Sequence, residues 1–292
     1  MKKIATALLS CALAAATLAG CAANAAQVPQ ESQEPHTAAL TATAAASVKS
    51  PKYVFLFIGD GMSYPQIQST SDYLGALKDA DYWQAQPSLD DNQGAILDGP
   101  EYLNFMNFEA AGSAVTYDSN SFAPDSASTA TSISTGHKTY SGSINVDETG
   151  TIEYETIAEQ LKAQKGWEIG VITSVNLNHA TPAAFYAHQA SRNSYYEIGL
   201  ELIDSGFDYF AGGALLKPDG ADGDKDNLYD LAKEAGYTVV KTQAEAEQVT
   251  SGPVIIVDEH LADSDAMAYE LDRTDDMWSL ADYVKKGIQV LD

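Results

Sequence analysis

Glu168-Ile169-Gly170-Val171-Ile172-Thr173-Ser174 follows an amphipathic stretch, Ile152 to Lys165, that ends at Gly166. The amphipathic stretch has helical character, a glycine just past it can close it, and the run that follows is short and apolar. Helix, glycine stop and buried strand in that order are the parts of a βαβ unit, so the reading predicts a parallel sheet. Working outward gives the same alternation. Tyr195 to Ser205 reads as helix and Phe207 to Phe210 as strand. Leu228 to Ala235 and Tyr237 to Val240 repeat the pair, as do Gln243 to Gln248 and Pro253 to Val257, and Met277 to Leu291 is a last helix. Toward the N-terminus, Lys52 to Ile58 (KYVFLFI) reads as a strand buried on both faces, Pro65 to Leu77 as helix, Glu101 to Ala111 as helix and Gly112 to Tyr117 as strand. The expected fold is α/β, a mostly parallel central sheet with helices on both faces. Sites in such folds lie beyond the carboxyl ends of the strands.

Composition narrows the chemistry. Among 292 residues, 16 Lys+Arg face 41 Asp+Glu, a net charge of 16 − 41 = −25. A nucleic-acid partner is not expected, because phosphate backbones are met by a basic face. With 45% hydrophobic residues the chain can bury a core, unlike a disordered acidic tail. Two cysteines, Cys11 and Cys21, are too few for a disulfide scaffold.

Residues 1–20 read as an export signal: Lys2 and Lys3 precede an uncharged apolar stretch, Ile4 to Ala19, that is short for a membrane span. Leu18-Ala19-Gly20-Cys21 resembles the lipobox of bacterial lipoproteins, which implies lipidation of Cys21 and loss of Cys11 with the signal. Residues 21–50 are Ala-rich and read as a disordered tether. Residues 51–292 are the expected folded portion. The expected location is the bacterial cell envelope, with the membrane reached only through the lipid anchor.

Two segments carry chemistry. Asp60 follows the first apolar run and stands between Gly59 and Gly61, which let the backbone turn tightly. A carboxylate there suits a divalent cation or satisfies its own turn. In Ala123-Pro124-Asp125-Ser126-Ala127-Ser128-Thr129-Ala130-Thr131, Asp125 or Ser126 can cap a helix that Gly136 ends. A hydroxyl at that N-terminus is either a plain cap or a nucleophile facing free N–H groups.

Phe57-Ile58-Gly59-Asp60-Gly61-Met62, Pro124 to Thr131, Thr135-Gly136-His137-Lys138-Thr139-Tyr140-Ser141-Gly142, Asn178-His179-Ala180-Thr181-Pro182-Ala183 and Ser191-Arg192 occur in the order found in alkaline phosphatases, and the chain resembles that family from about Lys52 to Asp292. The resemblance implies a serine nucleophile, two Zn²⁺ and one Mg²⁺, small phosphomonoester substrates, and room for a homodimer. It makes Ser126 the residue transiently phosphorylated, Asp60 a bridge between one zinc and the magnesium, and Thr181 a magnesium ligand. His179 takes the neighbouring position, where family members carry Asp or His. Arg192 clamps two phosphate oxygens. Ser63 departs from the glycine usual after the Met.

The later motifs the resemblance calls for are missing: an Asp-x-x-x-His helix start preceded by a Glu, an Asp-His pair, and a final His. The five histidines (36, 137, 179, 188 and 260) do not supply them, and Asp258-Glu259-His260 reads as a loop turn. The expectation is therefore an N-terminal portion that ends early and is inactive alone. Asp219, Asp222, Asp224 and Asp226 read as a solvated loop, since the calcium-loop pattern fails at Asn227. The alternatives are another superfamily hydrolase, a phosphodiesterase or sulfatase, and a surface lipoprotein that binds phosphate or metal without catalysis. Ser126 is followed by Ala127-Ser128-Thr129 and not by the Pro-x-Arg of sulfatases.

Overall fold

The structure, a computed structural model, describes residues 51–78 and 98–292. The export signal, the tether and Cys21 lie outside the described residues. The described residues from Ile58 onward form one compact unit.

In chain order the elements are α1 (Tyr64–Lys78), a 3₁₀ turn (Asn104–Asn107), α2 (Ser126–Thr135), α3 (Ile157–Lys165), β1 (Gly170–Asn176), the short α4 (Ala180–Ala183), α5 (Tyr195–Asp204), β2 (Tyr209–Gly213), α6 (Leu228–Glu234), β3 (Thr238–Val240), α7 (Gln243–Gln248), β4 (Val254–Val257), a 3₁₀ turn (Asp263–Asp265) and α8 (Leu280–Leu291). The four strands are parallel in the order β1-β2-β4-β3, with Tyr209 opposite Gly170 on one side and Val254 on the other.

Alternate residues of the inner strands feed two cores. Phe210, Ile255 and Val257 pack with Ile198 and Leu202 of α5 and Leu228 and Ala232 of α6. Tyr209, Ala211, Val254 and Ile256 pack with Ala246 of α7 and Tyr283 and Val290 of α8. Helices thus cover both faces, which is why β4 reads as a continuous apolar run. Gly212 lets β2 approach β1: its φ is 148° and an added Cβ would sit 2.1 Å from the Thr173 carbonyl oxygen.

Caps fix the helix ends. The Asp125 side chain accepts from Ser128 N–H at 3.1 Å to open α2, and Gly136 closes it at φ 77°. Reciprocal Thr156–Glu159 and Ser279–Asp282 bonds open α3 and α8.

Three expectations fail. Lys52–Ile58 forms no strand, and Phe57 is 74% exposed. Gly112–Tyr117 likewise forms none. Glu101–Ala111 yields only the 3₁₀ turn Asn104–Asn107. An apolar run becomes a strand only where a neighbouring ladder takes its N–H and C=O groups, and no described strand pairs with these segments. No described helix is long and apolar enough to cross a membrane.

Candidate active site

Three chain segments meet at the carboxyl end of β1. Asp60 sits in the turn where Met62 N–H donates to the Gly59 carbonyl at 3.1 Å, and Gly61 takes φ 66° to complete it. Ser126 is the first residue of α2. His179 stands just before α4 and Thr181 is its second residue, directly beyond the β1 end.

The Asp60 carboxylate joins the other two segments. Ser126 Oγ donates to Asp60 Oδ1 at 3.1 Å, and Thr181 Oγ1 donates to Asp60 Oδ2 at 2.7 Å. Arg192 approaches from a third direction. Its Nη1 donates to Asp125 Oδ2 at 2.7 Å, its Nη2 lies 3.5 Å from His179 Nε2, and its backbone N–H donates to the Gly142 carbonyl at 2.7 Å. The five residues singled out from the sequence, Asp60, Ser126, His179, Thr181 and Arg192, are thereby brought together.

Charge is balanced locally. Burial would raise the Asp125 carboxyl, but hydrogen bonds from the Ser128 and Gly142 N–H groups and from Arg192 outweigh it and hold its pKa at about 2. Asp125 is therefore anionic under any ordinary condition and anchors the guanidinium. His179 is held below its usual range, first by burial and then by the Arg192 charge, with Asp60 opposing. Its Nδ1 is buried without a hydrogen-bond partner.

Two buried polar residues give the site its backing, and the sequence reading passed over both. Asn145 adopts φ 49°; its Nδ2 donates to the Ala184 and Ala187 carbonyls at 2.8 Å each, and its Oδ1 accepts from Ser134 Oγ at 3.1 Å. This ties α2 to the α4 region. Asp118 is the other, bonded to Ser128 and Ser141. Asn178, quoted only as part of a motif, clamps the strand end by donating to the Tyr195 and Leu216 carbonyls at 2.8 and 2.9 Å.

The donor set fits one kind of cation and not another. Asp60 and Thr181 offer adjacent hard oxygens, which suits Mg²⁺, an ion that keeps several waters. A zinc site wants about three protein ligands of N, S or carboxylate type. Among the described residues no group of three or more His, Cys, Asp or Glu is placed to hold a metal ion, so the two-zinc set does not fit the residues present. Asp258-Glu259-His260 is a turn, as expected: Asp258 Oδ1 accepts from His260 N–H at 2.9 Å and Oδ2 from Trp278 N–H at 3.0 Å. In the acidic loop, Asp219 accepts from Asn227 Nδ2 at 2.8 Å.

A family model described as alkaline phosphatase matches residues 51–207. Alkaline phosphatase 3 of Bacillus subtilis is 29% identical over 249 residues, which cover 82% of this chain and 48% of that protein. Alkaline phosphatase 4 of Drosophila melanogaster is 32% identical over 151 residues, covering 50% of this chain and 23% of that one. Among solved structures, the alkaline phosphatase of the Antarctic bacterium TAB5 superposes with a TM-score of 0.56 at 30% identity, covering 64% of this chain and 53% of that one. The cold-active enzyme of Shewanella sp. gives 0.58 at 24% identity over 80% of this chain and 51% of that one, a likeness of fold. The chain thus spans no more than about half the length of these relatives.

Proposed function

The chain belongs to the alkaline phosphatase family, and we propose that it acts on phosphomonoesters by taking the phosphoryl group onto Ser126. The observation that carries this reading is the placement of Ser126 Oγ at the N-terminus of α2, bonded to Asp60 on one side and followed back by the Asp125–Arg192 pair.

A serine hydroxyl is a weak nucleophile at neutral pH and needs help in losing its proton. Asp60 Oδ1, 3.1 Å from Ser126 Oγ, is the acceptor in place. As Ser126 Oγ bonds to phosphorus, its proton passes to Asp60, the P–O bond to the leaving group breaks and the alkoxide takes up a proton to leave as the alcohol. Water then attacks the phosphoserine, breaks the Oγ–P bond and releases inorganic phosphate while Ser126 regains its proton. Arg192 keeps N–H donors beyond the one given to Asp125, and a guanidinium fork matches phosphate oxygens. The α2 N-terminus adds free N–H groups and a positive dipole end. These groups give a dianion a local positive site on a chain of net charge −25.

Asp60 and Thr181 would hold a Mg²⁺ ion, which when bound adds positive charge beside the phosphoryl oxygens. One support is a histidine-to-glutamate variant of the TAB5 enzyme with Mg bound in its M3 site, 30% identical to this chain with a TM-score of 0.52. No step is assigned to zinc. The donor set also favours a second reading for this polypeptide by itself, phosphate binding without turnover.

Mass spectrometry after incubation with a phosphorus-labelled phosphomonoester and Mg²⁺ separates the two. Phosphoserine at Ser126, absent in Ser126→Ala, supports the covalent reading. Label on another residue moves the nucleophile elsewhere, and reversible phosphate binding without label selects the second reading.

A further inference from the structure

We infer that Asp118 is a positioning residue for the Asp125–Arg192 pair, acting through Ser128 and Ser141. The inference rests on the reading above, in which Arg192 holds the phosphoryl group. Asp118 touches none of the reacting groups. It is 5% exposed and lies on the loop ahead of α2, with Oδ1 taking the Asn120 N–H at 3.0 Å.

Its other oxygen reaches the site by two routes. Ser128 Oγ donates to Asp118 Oδ2 at 2.9 Å from the first turn of α2, and the same hydroxyl lies 2.9 Å from Asp125 Oδ1. One hydroxyl proton therefore stands between two carboxylates, so the charge on Asp118 affects how fully Asp125 is satisfied. Ser141 Oγ also donates to Asp118 Oδ2. The next residue, Gly142, accepts the Arg192 backbone N–H at 2.7 Å, and its own N–H is among the groups that lower the Asp125 carboxyl. Both routes end on the pair that aims the guanidinium. A buried carboxylate with three donors and no counter-cation among its described partners is costly unless every bond is kept. That makes the arrangement stiff, and stiffness is what a phosphate clamp needs if binding is not to be spent on ordering it.

The test uses the whole chain with Asp118→Asn, Ser141→Ala and the double variant, so that a folding failure of one still leaves another. Amide hydrogen exchange is read at Gly142 and Arg192, and inorganic phosphate affinity by titration. We expect faster exchange at those two amides and phosphate affinity reduced about three- to tenfold in each single variant, with the double variant little worse than either. Unchanged exchange at Gly142 and Arg192 overturns the inference. So does faster exchange with phosphate affinity intact, or a rise spread evenly over β2 and β4, either of which marks a merely structural role. If the wild-type chain binds no phosphate at all, the proposed function fails, and the exchange data decide the Asp118 link by themselves.

Discussion

Arg192 Nη1 lies 2.7 Å from Asp125 Oδ2, so the guanidinium that faces the site is tied to the carboxylate that caps the helix of Ser126. One ion pair sets the clamp and the hydroxyl relative to each other. Both side chains are partly exposed, so its worth lies in orientation more than in stability.

Arg192→Ala should therefore weaken phosphate binding more than it disturbs a cation held at Asp60 and Thr181. A charge-assisted bidentate contact is worth on the order of 1.5–3 kcal/mol, or roughly one to two powers of ten in affinity. Titration with inorganic phosphate and with Mg²⁺ reads the two effects separately. Equal phosphate affinity in the two proteins would remove Arg192 from the site.

Asn145→Ala should cost stability without touching the reacting groups. The substitution strands the Ala184 and Ala187 carbonyls in the interior and leaves Ser134 Oγ with only its 3.3 Å bond to the Thr131 carbonyl, and it puts alanine at φ 49°, where Asn is better tolerated. About 2–4 kcal/mol is expected from unsatisfied buried groups. Urea unfolding that shows a loss below about 0.5 kcal/mol would contradict this.

How much of this was legible in the sequence depends on whether the signal was local. Asp125 and Gly136 announced α2 because a cap is read from neighbours in the chain. β4 was legible because burial on both faces leaves a continuous apolar run, Val254 to Val257, whereas the strand expected at Phe207–Phe210 shares only Tyr209 and Phe210 with β2, whose end is Gly212-Gly213. Lys52–Ile58 carries an apolar run and forms no strand, since hydrophobicity states a preference and no described strand supplies the ladder that would realise it. The family resemblance implies one site for Asp60, Ser126, Thr181 and Arg192, while the contacts by which they meet at the β1 end are a matter of topology. Asp118 and Asn145 went unnoticed for a related reason. A buried polar residue has no period, and its partners, such as Ser141 or Ala187, are distant in sequence.

His188 provides a pH-dependent contribution to stability. Its Nε2 lies 3.5 Å from Glu159 Oε2 of α3 and its Nδ1 3.9 Å from Glu201 Oε2 of α5. Burial alone would lower its pKa, but Glu159, Glu201 and Glu153 outweigh this and raise it above the ordinary 6.5. A raised folded pKa means the contribution is fully present below the unfolded value and is lost as pH rises through the folded one. His188→Gln should thus be less stable than wild type at pH 6, by on the order of 1 kcal/mol for a partly screened pair, and the gap should close toward pH 9. Burial raises the Glu201 carboxyl, which works in the same direction. Denaturation at both pH values checks the sign, and a gap that widens with pH refutes the assignment.

Cys21→Ser should move the protein from the membrane to the soluble exported fraction. We propose the lipid anchor from the lipobox-like Leu18-Ala19-Gly20-Cys21, and the segment from Ala22 to Ser50 offers no apolar stretch that could anchor alone. Fractionation of cells expressing the two forms is the measurement. Membrane retention of the serine variant would sink the anchor.

The last prediction concerns residues 22–292 as an isolated polypeptide. Asp60 and Thr181 can furnish part of a magnesium shell, and Asp60 one carboxylate toward a zinc, yet two zinc sites ask for about three protein ligands each. No cluster of three His, Cys, Asp or Glu suited to a metal occurs among the described residues. Without further positive charge Asp60 takes the Ser126 proton slowly, and the departing alkoxide has no support beyond Arg192 and a helix end, so any phosphoserine forms too slowly for turnover. Among the described strands β1 pairs on one side only, and an unpaired edge invites association between copies. The isolated polypeptide should therefore take up little zinc, hydrolyse a chromogenic phosphomonoester at or near background at alkaline pH, and tend to aggregate. Metal analysis after loading with Zn²⁺ and Mg²⁺, followed by the assay, reads the first two directly. Robust chelator-sensitive turnover that disappears in Ser126→Ala would show that this set of residues completes a working site by a route the donor geometry does not provide.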